Sequence, residues 1–236
     1  MPFGFFYDPS MIIVIPGIIL TLWAQAKVSS AFNKYSKVRS RSGATGAQVA
    51  RDILNRAGLQ KVAVEPIPGH LTDHYDPRDG VLRLSEGVYD SPSIAALGIA
   101  AHEAGHAIQH AEHYGALVLR TAIAPAAATG SQLGVWIFMI GLIISMFAHG
   151  SFVWLLDVGL ILFSVAVVFT LVTLPVEFNA SKRAIAILER GGYLTAEEIP
   201  ETRKVLNAAA LTYVAAAATA VLTLIRLLIL RNMQRD

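Results

Sequence analysis

The sequence contains no cysteine in its 236 residues. Disulfide frameworks, thiolate metal sites and cysteine nucleophiles are therefore excluded, and histidine, aspartate and glutamate remain as the side chains able to hold a transition metal. Charge is scarce as well: 15% of the residues are Asp, Glu, Lys or Arg, against 54% hydrophobic. A soluble domain of this size has no need of so apolar a composition, so a membrane protein is the first expectation. The formal net charge of +2 is too small for a nucleic-acid binder, and no nucleic-acid partner is expected. Internal repeats are absent, and so are low-complexity linkers beyond alanine-rich patches.

Four apolar stretches are present. The first, 9–26, is interrupted only by Pro16-Gly17 and approaches the roughly 20 residues that cross a bilayer. Ala24-Gln25-Ala26 resembles a signal-peptide cleavage site, but no Lys or Arg precedes it and Asp8 lies in that segment, so the stretch reads as an anchor. Lys27, Lys34, Lys37, Arg39 and Arg41 follow with no acidic residue among them, the mark of a cytoplasmic flank. Stretches 132–148 and 152–174 are joined by His149-Gly150-Ser151, a hairpin tip without Lys or Arg that is expected outside. The last stretch is 209–230. Arg231 and Arg235 then fall outside, which fits the positive-inside rule poorly.

Between these stretches the chain is expected to face the cytoplasm, as a domain over 27–131 and a second segment over 175–208. Thr45 to Ala57 has the pattern of an amphipathic helix ended by Gly58. Lys61 to Glu65 and Val81 to Ser85 alternate like strands, and Asp76-Pro77-Arg78-Asp79-Gly80 carries turn chemistry. Ser91-Pro92-Ser93 starts a helix that the proline-free, alanine-rich run Ile94 to His113 continues.

That helix carries His102-Glu103-Ala104-Gly105-His106, the pattern HExxH. Residues four apart share a helix face, so both imidazoles can reach one ion, and Glu103 beside the first can take a proton from a water. Neutral imidazole and carboxylate suit zinc, with one coordination position left for that water. A third protein ligand is required, and four candidates compete. His110 lies a further turn, about 6 Å, along the axis, and His113 does not fit the longer metzincin pattern. Asp157 is expected near the outer end of its span, about a membrane thickness from a cytoplasmic site. Glu177 fits best: it follows the third apolar stretch directly, at the expected start of a new helical run from Val176 to Glu189. Ser181, one turn on, is placed to hydrogen-bond a histidine ligand. The competing reading of Glu177 is an acid near a helix N-terminus, placed there by the dipole.

Four blocks, Leu71-Thr72-Asp73-His74-Tyr75-Asp76-Pro77-Arg78, Val81 to Ser85, Ala100 to Gln109 and Leu174 to Ser181, resemble the YugP-like neutral zinc metallopeptidases of bacterial membranes. The chain is more distantly similar to HtpX-type membrane proteases, in which an aspartate stands where this sequence has Ser181. The resemblance implies a gluzincin-like site: one Zn2+ ion held by His102, His106 and Glu177, with Glu103 as the catalytic residue. His70, Asp73 and His74 lie where a zincin presents a strand to its substrate, or else form a polar loop. Arg183 reads either as a group stabilising the tetrahedral intermediate or as one binding lipid phosphate.

The expected fold class is mainly α: a multi-span helical membrane protein with a small zincin-like α+β cytoplasmic domain. Its partners are the lipid bilayer and a protein or peptide substrate, membrane proteins included. Two rivals are an intramembrane protease, for which the eight apolar residues Ile94 to Ala101 are too few to span, and a non-catalytic zinc-binding scaffold or chaperone.

Overall fold

The computed structural model describes residues 9–147 and 152–234. The His149-Gly150-Ser151 connection, Asp8 and Arg235 lie outside the described residues. The chain divides into two compact units, one of 1–23, 119–174 and 213–236, the other of 24–118 and 175–212.

The first unit is helical. A 3-10 helix, Pro9–Ile13, leads into the first turns of α1, Ile15–Tyr35. The unit also takes most of α5, Gly115–Phe147, the first part of α6, Val153–Arg190, and the second part of α7, Ile199–Asn232. Each of these three long helices is long and apolar enough to cross a membrane. They contain the expected stretches 132–148 (up to Phe147), 152–174 (from Val153) and 209–230. α1 is not among them: its apolar turns from Ile15 to Ala26 measure about 18 Å at 1.5 Å per residue, short of the roughly 30 Å of a hydrocarbon core.

Helices α5 and α6 approach closely through glycine. A Cβ on Gly159 would lie 2.6 Å from the Gly134 carbonyl oxygen and 2.6 Å from the Phe138 nitrogen. Small residues at such a crossing let two backbones meet where lipid offers no hydrophobic gradient to drive them together. Phe138, Leu156, Phe163, Val167 and Leu227 pack beside it. Asp157, an ionisable group in an apolar helix, pairs with Arg231 at 2.7 Å.

The second unit has a core in which residues of α1, α2, the sheet, α4, α6 and α7 meet. α2, Gly46–Arg56, follows its sequence pattern: Thr45 and Gln48 form a reciprocal capping box and Gly58 takes φ +77° beyond the helix. Three strands, β1 (Ala63–Ile67), β2 (His74–Asp76) and β3 (Val81–Ser85), form a sheet of order β1-β3-β2. β1 runs parallel to β3 and β2 antiparallel to it. β1 starts two residues later than the alternation suggests and includes Pro66, which an edge strand tolerates because its missing N–H faces away from the ladder. A short helix α3, Glu86–Tyr89, precedes α4, Ile94–Ala111.

Ser93 caps α4, its hydroxyl accepting from the Ala96 N–H at 3.2 Å. The basic flank after α1 is held against this start: Ser40 N–H donates to the Pro92 carbonyl at 2.8 Å, and Ile94 N–H to the Val38 carbonyl at 3.0 Å. At the other end, Tyr114 N–H bonds the Gln109 carbonyl and His113 N–H the His110 carbonyl, the paired bonds of a Schellman motif. His113 occupies its left-handed position, φ +53°, where glycine is favoured.

Two expectations are corrected. α5 begins at Gly115, so its helix extends well before 132. No new helix starts at Val176: α6 is continuous through Pro175. A proline inside a helix removes one hydrogen bond, a loss that helices of membrane proteins accommodate. Glu177 is accordingly mid-helix, and the helix-dipole reading of it does not apply.

Replacing His113 with glycine relieves a left-handed side chain that is exposed, and should raise stability by about 0.5–1 kcal/mol after the glycine's greater unfolded-state freedom is subtracted. Thermal unfolding in detergent checks this; an unchanged or lower midpoint contradicts it.

Candidate metal centre

Small residues along α4 set the geometry of the site. Ala95, Ala96, Gly98, Ala100, Ala101, Ala104, Gly105 and Ala107 are all buried, so neighbouring helices come close to its axis. A Cβ on Gly105 would lie 3.2 Å from the Ala180 carbonyl oxygen of α6. That approach brings Glu177 against the histidine face of α4.

His102, His106 and Glu177 form one group whose candidate ligand atoms all lie within 4.8 Å of one another. Glu177 Oε2 is 3.3 Å from His102 Nε2 and 3.5 Å from His106 Nε2. Two metal–ligand bonds of zinc length meeting at the tetrahedral angle separate their ends by about 3.4 Å. One carboxylate oxygen thus stands at a tetrahedral edge from both imidazoles. The rings are edge-to-face, with centroids 4.7 Å apart, and the Glu177 side chain is 3% exposed. The geometry and the donor set, two imidazoles and a carboxylate without thiolate, fit zinc.

The three residues are held by further contacts. Ser181 Oγ lies 3.1 Å from His102 Nδ1, the contact that its spacing suggested. Gln109 Oε1 lies 2.9 Å from His106 Nδ1. Glu103 Oε2 accepts from the Tyr75 backbone N–H of β2 at 3.1 Å. Burial raises the Glu103 carboxyl above its ordinary value; the His102 and His106 imidazoles oppose this, and the Glu177 and Asp73 carboxylates reinforce it. A carboxylate so raised is better matched to accepting a proton near neutral pH.

Other candidates fall elsewhere. His110 Nδ1 is 3.0 Å from the Tyr75 hydroxyl and is not part of the group. His113 is the exposed residue after α4. Asp157 belongs to the other unit, with Arg231. Asp73 accepts from the Ser85 N–H and hydroxyl, His74 Nδ1 is 2.8 Å from the Thr72 carbonyl, and His70 packs edge-on against Phe32. None of these three side chains belongs to the histidine–glutamate group, and His74 is the first residue of edge strand β2. Arg183 donates to Asn179 Oδ1 at 2.7 Å and pairs with Glu112 at 2.7 Å.

Sequence reasoning missed Gln109, Asn179 and the Tyr75 amide. Gln109 carried a signal, being a polar residue three positions after His106 on an otherwise alanine-rich face; the other two carried none, because both depend on tertiary placement.

A helical chain with three helices able to span a membrane and a two-histidine, one-glutamate group fits the class of membrane metallopeptidases. The chain belongs to the family described as "Putative neutral zinc metallopeptidase", which matches residues 10–232. It is 49% identical over 224 residues to the "Putative membrane protease YugP" of Bacillus subtilis (strain 168), covering 95% of this chain and 97% of that protein. No solved structure matches it.

Glu177→Ala should abolish stoichiometric zinc binding, read as metal content of the purified protein. Gly105→Val should weaken binding as well, because the added methyl groups push against the Ala180 carbonyl, while Gly115→Ala, with nothing within 4 Å, should leave it unchanged. Full zinc retention in Glu177→Ala removes Glu177 from the ligand set.

Proposed function

We propose that this protein is a membrane-embedded zinc metalloendopeptidase that hydrolyses peptide bonds of proteins at or near the cytoplasmic membrane surface. The observation that carries the reading is the single Glu177 oxygen at 3.3 and 3.5 Å from the two Nε2 atoms, with Glu103 next to His102 on the same helix. His102, His106 and Glu177 hold one zinc ion in a gluzincin-type set, and three protein ligands leave a position for water. When bound, zinc supplies Lewis-acid polarisation of the scissile carbonyl and makes a water acidic enough to react near neutral pH.

Glu103 is the general base: it takes the proton of the attacking water and delivers it to the leaving amine. β2 is an edge of the sheet, and its Tyr75 N–H points out of the ladder to Glu103. An extended substrate segment lies along that edge, with the Tyr75 N–H kept for Glu103, so that its backbone runs beside the base.

The chain spans the membrane four times, at 9–26, 132–148, 152–174 and 209–230, the first crossing needing the 3-10 turns of Pro9–Ile13, about 10 Å more, ahead of the apolar turns of α1, and 27–131 and 175–208 form a zincin-like part on the cytoplasmic side. The run from Lys27 to Arg41 and the basic residues Lys182, Arg183, Arg190, Arg203 and Lys204 support this orientation. The exposed Met11, Ile12, Ile15, Ile18, Ile19, Leu22 and Trp23 support a lipid-facing first segment. The bilayer and membrane-protein substrates are thus its partners.

Purified protein in detergent or nanodiscs should bind one zinc ion and cleave unfolded casein. Glu103→Gln should keep the zinc and lose about 10²–10⁴-fold in cleavage rate. Zinc-loaded wild type that cleaves none of a broad range of proteins would favour the scaffold reading instead.

A further inference from the structure

We propose that Gln109 is a positioning residue of this centre, fixing which nitrogen of His106 faces the metal and tying the histidine helix to the turn that carries Glu177. The inference rests on the zinc-peptidase reading above.

Gln109 is fully buried, at 0% exposed, and stands three residues after His106 on the same helix face. A buried carboxamide is unfavourable unless its polar groups are paired, and here all lie within reach of partners. Its Nε2 is 2.9 Å from the Val176 carbonyl oxygen and 2.9 Å from Asn179 Oδ1, and its Oε1 is 2.9 Å from His106 Nδ1.

The amide orientation follows from chemistry. A backbone carbonyl only accepts, so the amide nitrogen must face Val176 and the oxygen must face the imidazole. That oxygen also only accepts, so His106 Nδ1 carries a proton. Nε2 is then the nitrogen left to give a lone pair to a metal, and it is the one 3.5 Å from Glu177 Oε2.

The far end of the network is equally directional. Asn179 Oδ1 receives the Arg183 Nε–H at 2.7 Å, and a guanidinium only donates. Arg183 is held in turn by Glu112, the residue capping α4, so the network closes back on the helix where it began. Val176 immediately precedes Glu177, so the bond from Gln109 also holds the turn of α6 that presents the carboxylate. His102 has no such constraint, because the Ser181 hydroxyl both donates and accepts.

Two substitutions separate tautomer control from packing. Gln109→Met keeps the volume and removes every hydrogen bond; Gln109→Glu keeps an acceptor for His106 and removes the donor to Val176. Zinc affinity of the full chain in detergent is measured by competition with a chromogenic chelator. The dissociation constant should rise about 10–100-fold in Gln109→Met and less in Gln109→Glu. In zinc-loaded, 15N-histidine-labelled wild type the His106 Nδ1 proton should be visible and slow to exchange with water, and in Gln109→Met it should exchange fast.

Equal rises in both variants, or an unchanged constant in Gln109→Met, would overturn the assignment while leaving the zinc centre standing. A His106 Nδ1 without a proton in wild type overturns it even if the methionine variant fails to fold. Wild type that binds no zinc defeats the peptidase reading itself.

Discussion

The close passage of α4 against α6 is the constraint on which the site depends. Glu177 can stand at bonding separation from two imidazoles only because Gly105 offers no side chain to the Ala180 carbonyl. Interhelical distances are ordinarily 8–10 Å and rise with the side chains at the contact. The alanines and glycines of α4 are therefore part of the site, although none carries chemistry. They also explain why a helix with so little large apolar surface is nevertheless buried: its neighbours supply the bulk, through Leu188, Leu206, Ile53 and Leu54.

Polar groups drawn into that contact are satisfied in a definite order. Gln109 is fully enclosed, and its partners come from both helices, so the network works as a seam as well as a support for the ligands. Glu103 is engaged by the strand instead of by a helix, which places the site where sheet and helices adjoin. The ion pair of Asp157 and Arg231 serves the same principle in the other unit, where an isolated charge in an apolar environment would be strongly unfavourable.

Local chemistry made much of the fold legible. Thr45 and Gln48, Ser93, and the alternation of Val81 to Ser85 each encode their element through nearest-neighbour interactions, and their boundaries fall within a residue or two. The HExxH spacing likewise placed both histidines on one face. The long helices were legible only in their apolar parts, because hydropathy marks what faces lipid and says nothing of where a helix begins. The new helical run expected from Val176 is instead the continuation of α6. Glu177 was readable by elimination, whereas the Tyr75 amide and Asn179 were not, since each depends on contacts between residues 28 or more positions apart.

Helix α4 passes into α5 across only Glu112, His113 and Tyr114, and Glu177 stands on the same hydrogen-bonded rod as the apolar run before it. Both carriers of the metal-capable group are therefore continuous, or nearly so, with segments built for lipid. At 3.6 residues per turn, one residue inserted into α6 before Glu177 would turn the carboxylate by about 100° relative to that apolar run. The register that sets the face on which Glu177 stands is therefore carried by the residues of α6 itself, apolar ones included.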